Sequence, residues 1–209
     1  EAVYAAAIKA GKSHAQAAPV VKETASGVKL SYGPLSAGQA RYDLSLTLTV
    51  TAKGRAFELG AELRNGTREW VVKSFTGPVL NGLRTELDKT PVLLPSGFGW
   101  RVSGVPRDEA NAKPWSKLGK NYAVSAVYPS AQGTMQWFAF AGEAGGLYLG
   151  CHDPRYGAKT LSARYDPVRK SFGAAFQHTV FVRPGERLAL PPVTVMPYAG
   201  AWHVGARAS

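Results

Sequence analysis

The sequence predicts an all-β fold, a large antiparallel sandwich of two stacked sheets with ten or more strands and few helices. Three observations predict it. Tyr42, Leu44, Leu46, Leu48, Val50 and Ala52 alternate with polar Arg41, Asp43, Ser45, Thr47, Thr49 and Thr51; a period of two over this length is a strand with one buried and one wet face. Further short apolar runs follow, separated by Gly, Pro and Asn at turn positions. Helical periodicity is scarce, confined to an alanine-rich start at 1–18 and to the stretch from Trp202 onward.

Taken in order, residues 1–25 form an N-terminal segment, helical or linker, and residues 26–200 the sandwich. Residues 201–209 open a connector helix. Lys53-Gly54-Arg55 turns the first long strand into a second, where Phe57, Leu59, Ala61 and Leu63 alternate with Glu58, Gly60, Glu62 and Arg64. Asn65-Gly66 is the next turn, since both residues accept positive φ. Strands follow at 70–75, 92–94 and 122–128, with a polar loop at 105–120 between the last two. Trp137–Phe140 and Leu147–Gly150 make a hairpin around Glu143-Ala144-Gly145-Gly146, and it exits into Cys151-His152-Asp153-Pro154. The run 158–165 comes next. In 172–182, Phe172, Ala174, Phe176, His178, Val180 and Val182 share one side. After the turn Arg183-Pro184-Gly185-Glu186, the last extended run is 188–195, with Pro191-Pro192 placing it at a sheet edge or a bend.

At 209 residues the chain is long enough to bury a core as one large domain or two small ones. Its net charge of +11 raises nucleic acid as a partner. The 25 basic residues are spread along the chain among 14 acidic ones, with no nucleic-acid-binding motif, so a solvated basic surface is expected and no nucleic-acid partner. No apolar run approaches the roughly 20 residues of a membrane-spanning helix, and no membrane partner is expected. The single cysteine, Cys151, excludes an internal disulfide. The first residue is Glu1 and the last lies within the expected connector helix, so a fragment of a longer polypeptide is expected.

No nucleophile elbow, phosphate loop or metal-ligand spacing is present, and neither a cofactor nor a metal is expected. His14, His152, His178 and His203 are dispersed. His152-Asp153 at a strand exit offers the donors and acceptors that sugar hydroxyls require. The alternative is an Asp153 that caps a turn and a His152 bonded to backbone. His178, mid-strand among apolar neighbours, reads as a core histidine. Of the five tryptophans, Trp115 in the polar loop and Trp202 at the C-terminal junction are the two not assigned to the core. The candidate substrate-binding residues are therefore His152, Asp153, Trp202 and Trp115, with no catalytic residue assigned.

Three blocks carry a family resemblance: Glu62–Asn65 through Leu94-Pro95-Ser96-Gly97-Phe98-Gly99; Tyr128-Pro129 through Met135-Gln136-Trp137 to Gly145–Leu149 and His152-Asp153; and Pro184-Gly185-Glu186 through Leu190–Val193 to Pro197–His203. Together they resemble the N-terminal domain of a group of glycoside-hydrolase-like proteins, in which a galactose-mutarotase-like supersandwich precedes a (β/α)8 catalytic barrel. The resemblance covers about residues 40–209. It implies carbohydrate as a partner, a downstream barrel in the same polypeptide, and Trp202-His203 as the connector. One departure is Ala201, where the family often has an acidic residue before the tryptophan.

Glycoside cleavage ordinarily uses two carboxyl groups about 5–9.5 Å apart, and nothing in the sequence singles out such a pair. The expected function is thus a non-catalytic sandwich domain of a glycoside hydrolase that supports the barrel and contributes to carbohydrate binding. Two alternatives stay open. One is a free-standing aldose-epimerase-like enzyme drawing on His152, His178 and a carboxylate. The other is a carbohydrate-binding module without an active site.

Overall fold

A computed structural model describes residues 18–37, 39–84, 89–104, 115–118, 121–130, 133–203 and 207. Among them the chain is a sandwich of two antiparallel sheets, as the alternation predicts. The strands are β1 (Val20–Thr24), β2 (Gly27–Tyr32), β3 (Leu35–Ala37), β4 (Ala40–Tyr42), β5 (Leu44–Lys53), β6 (Ala56–Asn65), β7 (Val72–Leu83) and β8 (Val92–Leu94). They continue as β9 (Trp100–Val102), β10 (Ser116–Leu118), β11 (Asn121–Tyr128), β12 (Trp137–Ala141), β13 (Gly145–Gly150), β14 (Lys159–Asp166), β15 (Ser171–Val182) and β16 (Arg187–Ala199).

Nine strands make the large sheet, in the order β1-β2-β5-β6-β16-β13-β12-β8-β9, and five make the facing sheet, β10-β11-β14-β15-β7. A separate ribbon pairs β3 with β4. The core lies between the sheets. Phe138 and Phe140 of β12 meet Phe176 and Phe172 of β15, with centroids 5.5 and 5.2 Å apart. Burying each such ring stabilises by about 1.5–3 kcal/mol. All six alternating residues of β15, from Phe172 to Val182, are buried.

Three prolines show how sequence sets strand position. Pro78 lies in β7, the edge of the small sheet. Pro191 and Pro192 instead fall inside β16, which is central, between β6 and β13. The register shifts there between Leu190 and Val193, because a residue without an N–H cannot continue the ladder. The bend expected at these prolines is therefore a bulge, not an edge.

Asn65 closes the β6 end. Fully buried, its amide donates to the carbonyls of Trp70 (2.6 Å) and Val182 (2.9 Å), and its Oδ1 accepts from Thr67 N and Oγ1. This side chain fastens the turn to both sheets. Residues 1–17 of the expected N-terminal segment lie outside the described residues, and so do 204–206 and 208–209 of the expected connector. Trp202 and His203 have helical backbone, and Arg207 N donates to His203 O (3.1 Å).

Candidate functional site

The β12–β13 hairpin divides its residues by parity. Phe138, Phe140, Leu149 and Cys151 point into the core. Their neighbours Trp137, Tyr148 and His152 take the other face of the large sheet. There four rings form a row. Trp202 stacks on Trp137 (6.4 Å, 18°), Trp137 on Tyr148 (5.8 Å, 28°), and Tyr148 on His152 (6.2 Å, 8°). Trp202 reaches the row because the chain turns after β16 at Gly200, whose φ of 82° suits glycine.

Gly150 shapes the centre of this row. It faces Trp137 directly across the β12–β13 ladder. A Cβ there would collide with the Tyr148 hydroxyl and come within 2.7 Å of His152 Nε2. The missing side chain is what lets both polar heads lie over the strand, joined by a 2.7 Å hydrogen bond between Tyr148 Oη and His152 Nε2. Within the row Tyr148 is buried, whereas His152 and Trp202 are exposed. Desolvation of the imidazole, and then the Lys159 charge, hold His152 below its ordinary value of 6.5. At neutral pH it is an uncharged ring with Nε2 engaged, and among the described residues Nδ1 has no hydrogen-bond partner.

Asp153 turns the other way. It is 4% exposed, and its carboxylate accepts from the backbone N–H of Arg155 and of Gly157, each at 3.0 Å. Lys159 Nζ stands 3.7 Å from Oδ2. Burial alone would raise this carboxyl. The two backbone donors, the Lys159 charge and the Arg155 side chain outweigh it and hold the group below its ordinary 3.8. Gln136 locks the same loop from the other side: its Nε2 donates to Asp153 O, and its Oε1 accepts from Asp153 N (3.0 Å each) and from Lys159 Nζ (2.6 Å). Lys159 is itself 1% exposed and lies 5.0 Å over the Tyr128 ring. The turn-capping alternative thus describes Asp153, while His152 bonds a side chain rather than backbone.

Trp115 is placed in the core rather than at the rim, stacked on Phe172 (6.2 Å, 22°). The polarity of its neighbours in sequence gave no sign of this, because β10 begins at the next residue and pairs with β11. His178 is a core histidine as expected, between Phe75 and Phe176, and desolvation above all pushes it down to about 4. It lines a depression of about 150 Å³ with Asp153, Arg155, Leu188, Leu190 and Pro191. That volume is below the roughly 300 Å³ at which small-molecule sites begin. Cys151 is buried, and burial raises its thiol to about 11; it is a packing residue, not a nucleophile. Among the described residues no three His, Cys, Asp or Glu side chains gather around a common metal position.

Trp137, Tyr148 and Gly150 are the site residues that sequence reasoning missed. Strand parity could have found the first two, since both fall on the face opposite Phe138 and Leu149.

No protein-family model matches the chain, and no match to a curated protein was found. Solved structures do match. The alpha-N-acetylgalactosaminidase NagBb from Bifidobacterium bifidum, in its GalNAc complex, superposes with a TM-score of 0.57 at 14% identity, over 88% of this chain and 28% of its own. The same enzyme bound to Gal-NHAc-DNJ gives 0.58 at 14% identity, over 90% and 28%. A proposed aldose 1-epimerase from Klebsiella pneumoniae gives 0.53 at 13% identity, over 90% and 55%. The chain spans little more than a quarter of the glycosidase and about half of the epimerase. What these likenesses establish is the architecture: the chain has the galactose-mutarotase-like β-sandwich fold.

Proposed function

We propose that the chain is a non-catalytic sandwich domain of a glycoside hydrolase, which supports a (β/α)8 catalytic barrel in the same polypeptide and lends its aromatic face to carbohydrate. The observation that carries this reading is the row Trp202–Trp137–Tyr148–His152. The exposed ring of Trp202 at one end of the row receives the C–H face of a sugar, and the neutral imidazole of His152 at the other end supplies a hydrogen bond to a hydroxyl. The carboxylate next in sequence, Asp153, is consumed by the loop it caps, which speaks for binding rather than cleavage. The fold match to 28% of a glycosidase chain supports the accessory role.

The test is a titration of the 209-residue chain with N-acetylgalactosamine, galactose and their disaccharides, followed by tryptophan fluorescence and NMR. Binding that weakens at least tenfold in Trp202→Ala is the expected result, since an aromatic–sugar stack worth about 1.4 kcal/mol corresponds to a factor of ten in affinity. The epimerase alternative is checked in the same samples by polarimetry. Catalysed anomer interconversion that disappears in His178→Ala would overturn the non-catalytic reading.

A further inference from the structure

The register of the large sheet places one more group in line with the row. Thr51, Glu58, Thr194, Gly150 and Trp137 are direct cross-strand partners, each opposite the next, across β5, β6, β16, β13 and β12. All lie on the face away from the core, because their neighbours Leu59, Val193, Val195, Leu149 and Phe138 point into it. Glu58 is only partly exposed and pairs with Lys53 at 2.7 Å. From Trp137 the line therefore passes the Tyr148 and His152 heads over Gly150, the Thr194 hydroxyl, and then a carboxylate held beside an ammonium.

We infer that Glu58 and Lys53, with Thr194, form a second sugar subsite, making this face a reader of at least a disaccharide; the inference rests on the proposed function. Three strand steps separate Trp137 from Glu58, about 14 Å at about 4.8 Å each. That span is longer than one sugar ring and within reach of two. A carboxylate accepts from two adjacent hydroxyls and an ammonium donates to their oxygens. The Glu58–Lys53 pair thus suits the diol edge of a neutral sugar. One sugar ring rests on Trp202, which Trp137 holds in place, and the next hydrogen-bonds Thr194 and Glu58.

Calorimetric titrations with lactose and melibiose, set against galactose alone, test this. The wild-type chain is expected to bind one of the disaccharides at least tenfold more tightly than the monosaccharide. Glu58→Gln and Thr194→Val should each erase that advantage and leave galactose binding unchanged, whereas Trp137→Ala should lose both. Urea midpoints near the wild-type value confirm that the variants fold. A disaccharide advantage that survives both substitutions, or that the wild type lacks, overturns the second subsite and leaves the proposed function standing. A wild-type chain that binds none of these sugars overturns both.

Discussion

Asp153→Ala isolates the feature on which the site's geometry depends. The substitution removes the carboxylate facing a lysine that is 1% exposed, and it frees the N–H groups of Arg155 and Gly157. At 3.7 Å and an effective dielectric constant of about 20, the forfeited attraction is about 4.5 kcal/mol. That agrees with the roughly 3–5 kcal/mol for breaking a buried pair by removing one partner. Gln136 still accepts from Lys159 at 2.6 Å, so a loss near the lower end, about 3–4 kcal/mol, is expected. With a urea slope of about 2 kcal/mol per molar, the unfolding midpoint falls by about 1.5–2 M. Adding Lys159→Met removes the stranded charge and should recover part of the loss. The pH profile carries the same signature. The folded carboxyl lies below its ordinary 3.8, so its stabilisation is complete above that value and is lost as pH falls through the folded value. Asp153→Ala should flatten that acid limb. A loss under about 1 kcal/mol, the size of an exposed ion pair, or no recovery with Lys159→Met, would mean that Asp153 and Lys159 do not form a buried ion pair.

His178 governs a different window: its folded value is about 4 against an ordinary 6.5. Its neutral burial therefore favours the fold fully above about 6.5, and the advantage declines as pH falls toward 4, by about 3 kcal/mol in total. Urea midpoints from pH 7.5 to 4 should show this slope in the wild type and a shallower one in His178→Gln, where His152 is still held below its ordinary value; identical slopes would mean that the His178 ring does not titrate there. Trp115→Ala should cost about 3–5 kcal/mol by opening a cavity against Phe172. Sugar affinity should not change in that variant, and a drop in affinity without loss of stability would return Trp115 to the binding surface.

The long strands were legible because their alternation is a direct image of burial. The expected 92–94 is β8, and 41–52, 57–63 and 172–182 fall on β5, β6 and β15 to within a few residues. By contrast β1, β3, β9 and β10 carry no such image: three of them are only three residues long, and β1 is exposed throughout. β2 does alternate, Val28, Leu30 and Tyr32 against Lys29 and Ser31, but over only six residues, and β4 continues the alternation of the 41–52 run. The site was half legible. His152 and Trp202 stand where a polar strand exit and a junction aromatic suggest, but Asp153, adjacent to His152, serves the loop. Composition cannot separate two neighbouring polar residues whose side chains leave the strand in opposite directions. Glu58 was hidden for another reason: its relation to Trp137 exists only in the register of strands brought together from distant parts of the chain, between Thr51 and Thr194.

That register ties the proposed recognition to stability. The residues that build the outer row alternate with residues that fill the core, so Trp137 and Phe138, or Tyr148 and Leu149, cannot shift independently. A slip of one residue would send the rings inward and the core outward. Three devices oppose such a slip in and beside this hairpin: the β16 bulge at Pro191-Pro192, the Gln136 clamp on Asp153, and Gly150 beneath the Tyr148–His152 pair. Two of these meet at the hairpin's exit, where His152 leaves the strand. The buried Lys159–Asp153–Gln136 cluster is therefore a positioning element for the aromatic face. Damage to it should appear first as lost stability, and as lost sugar affinity only when the exit loop moves.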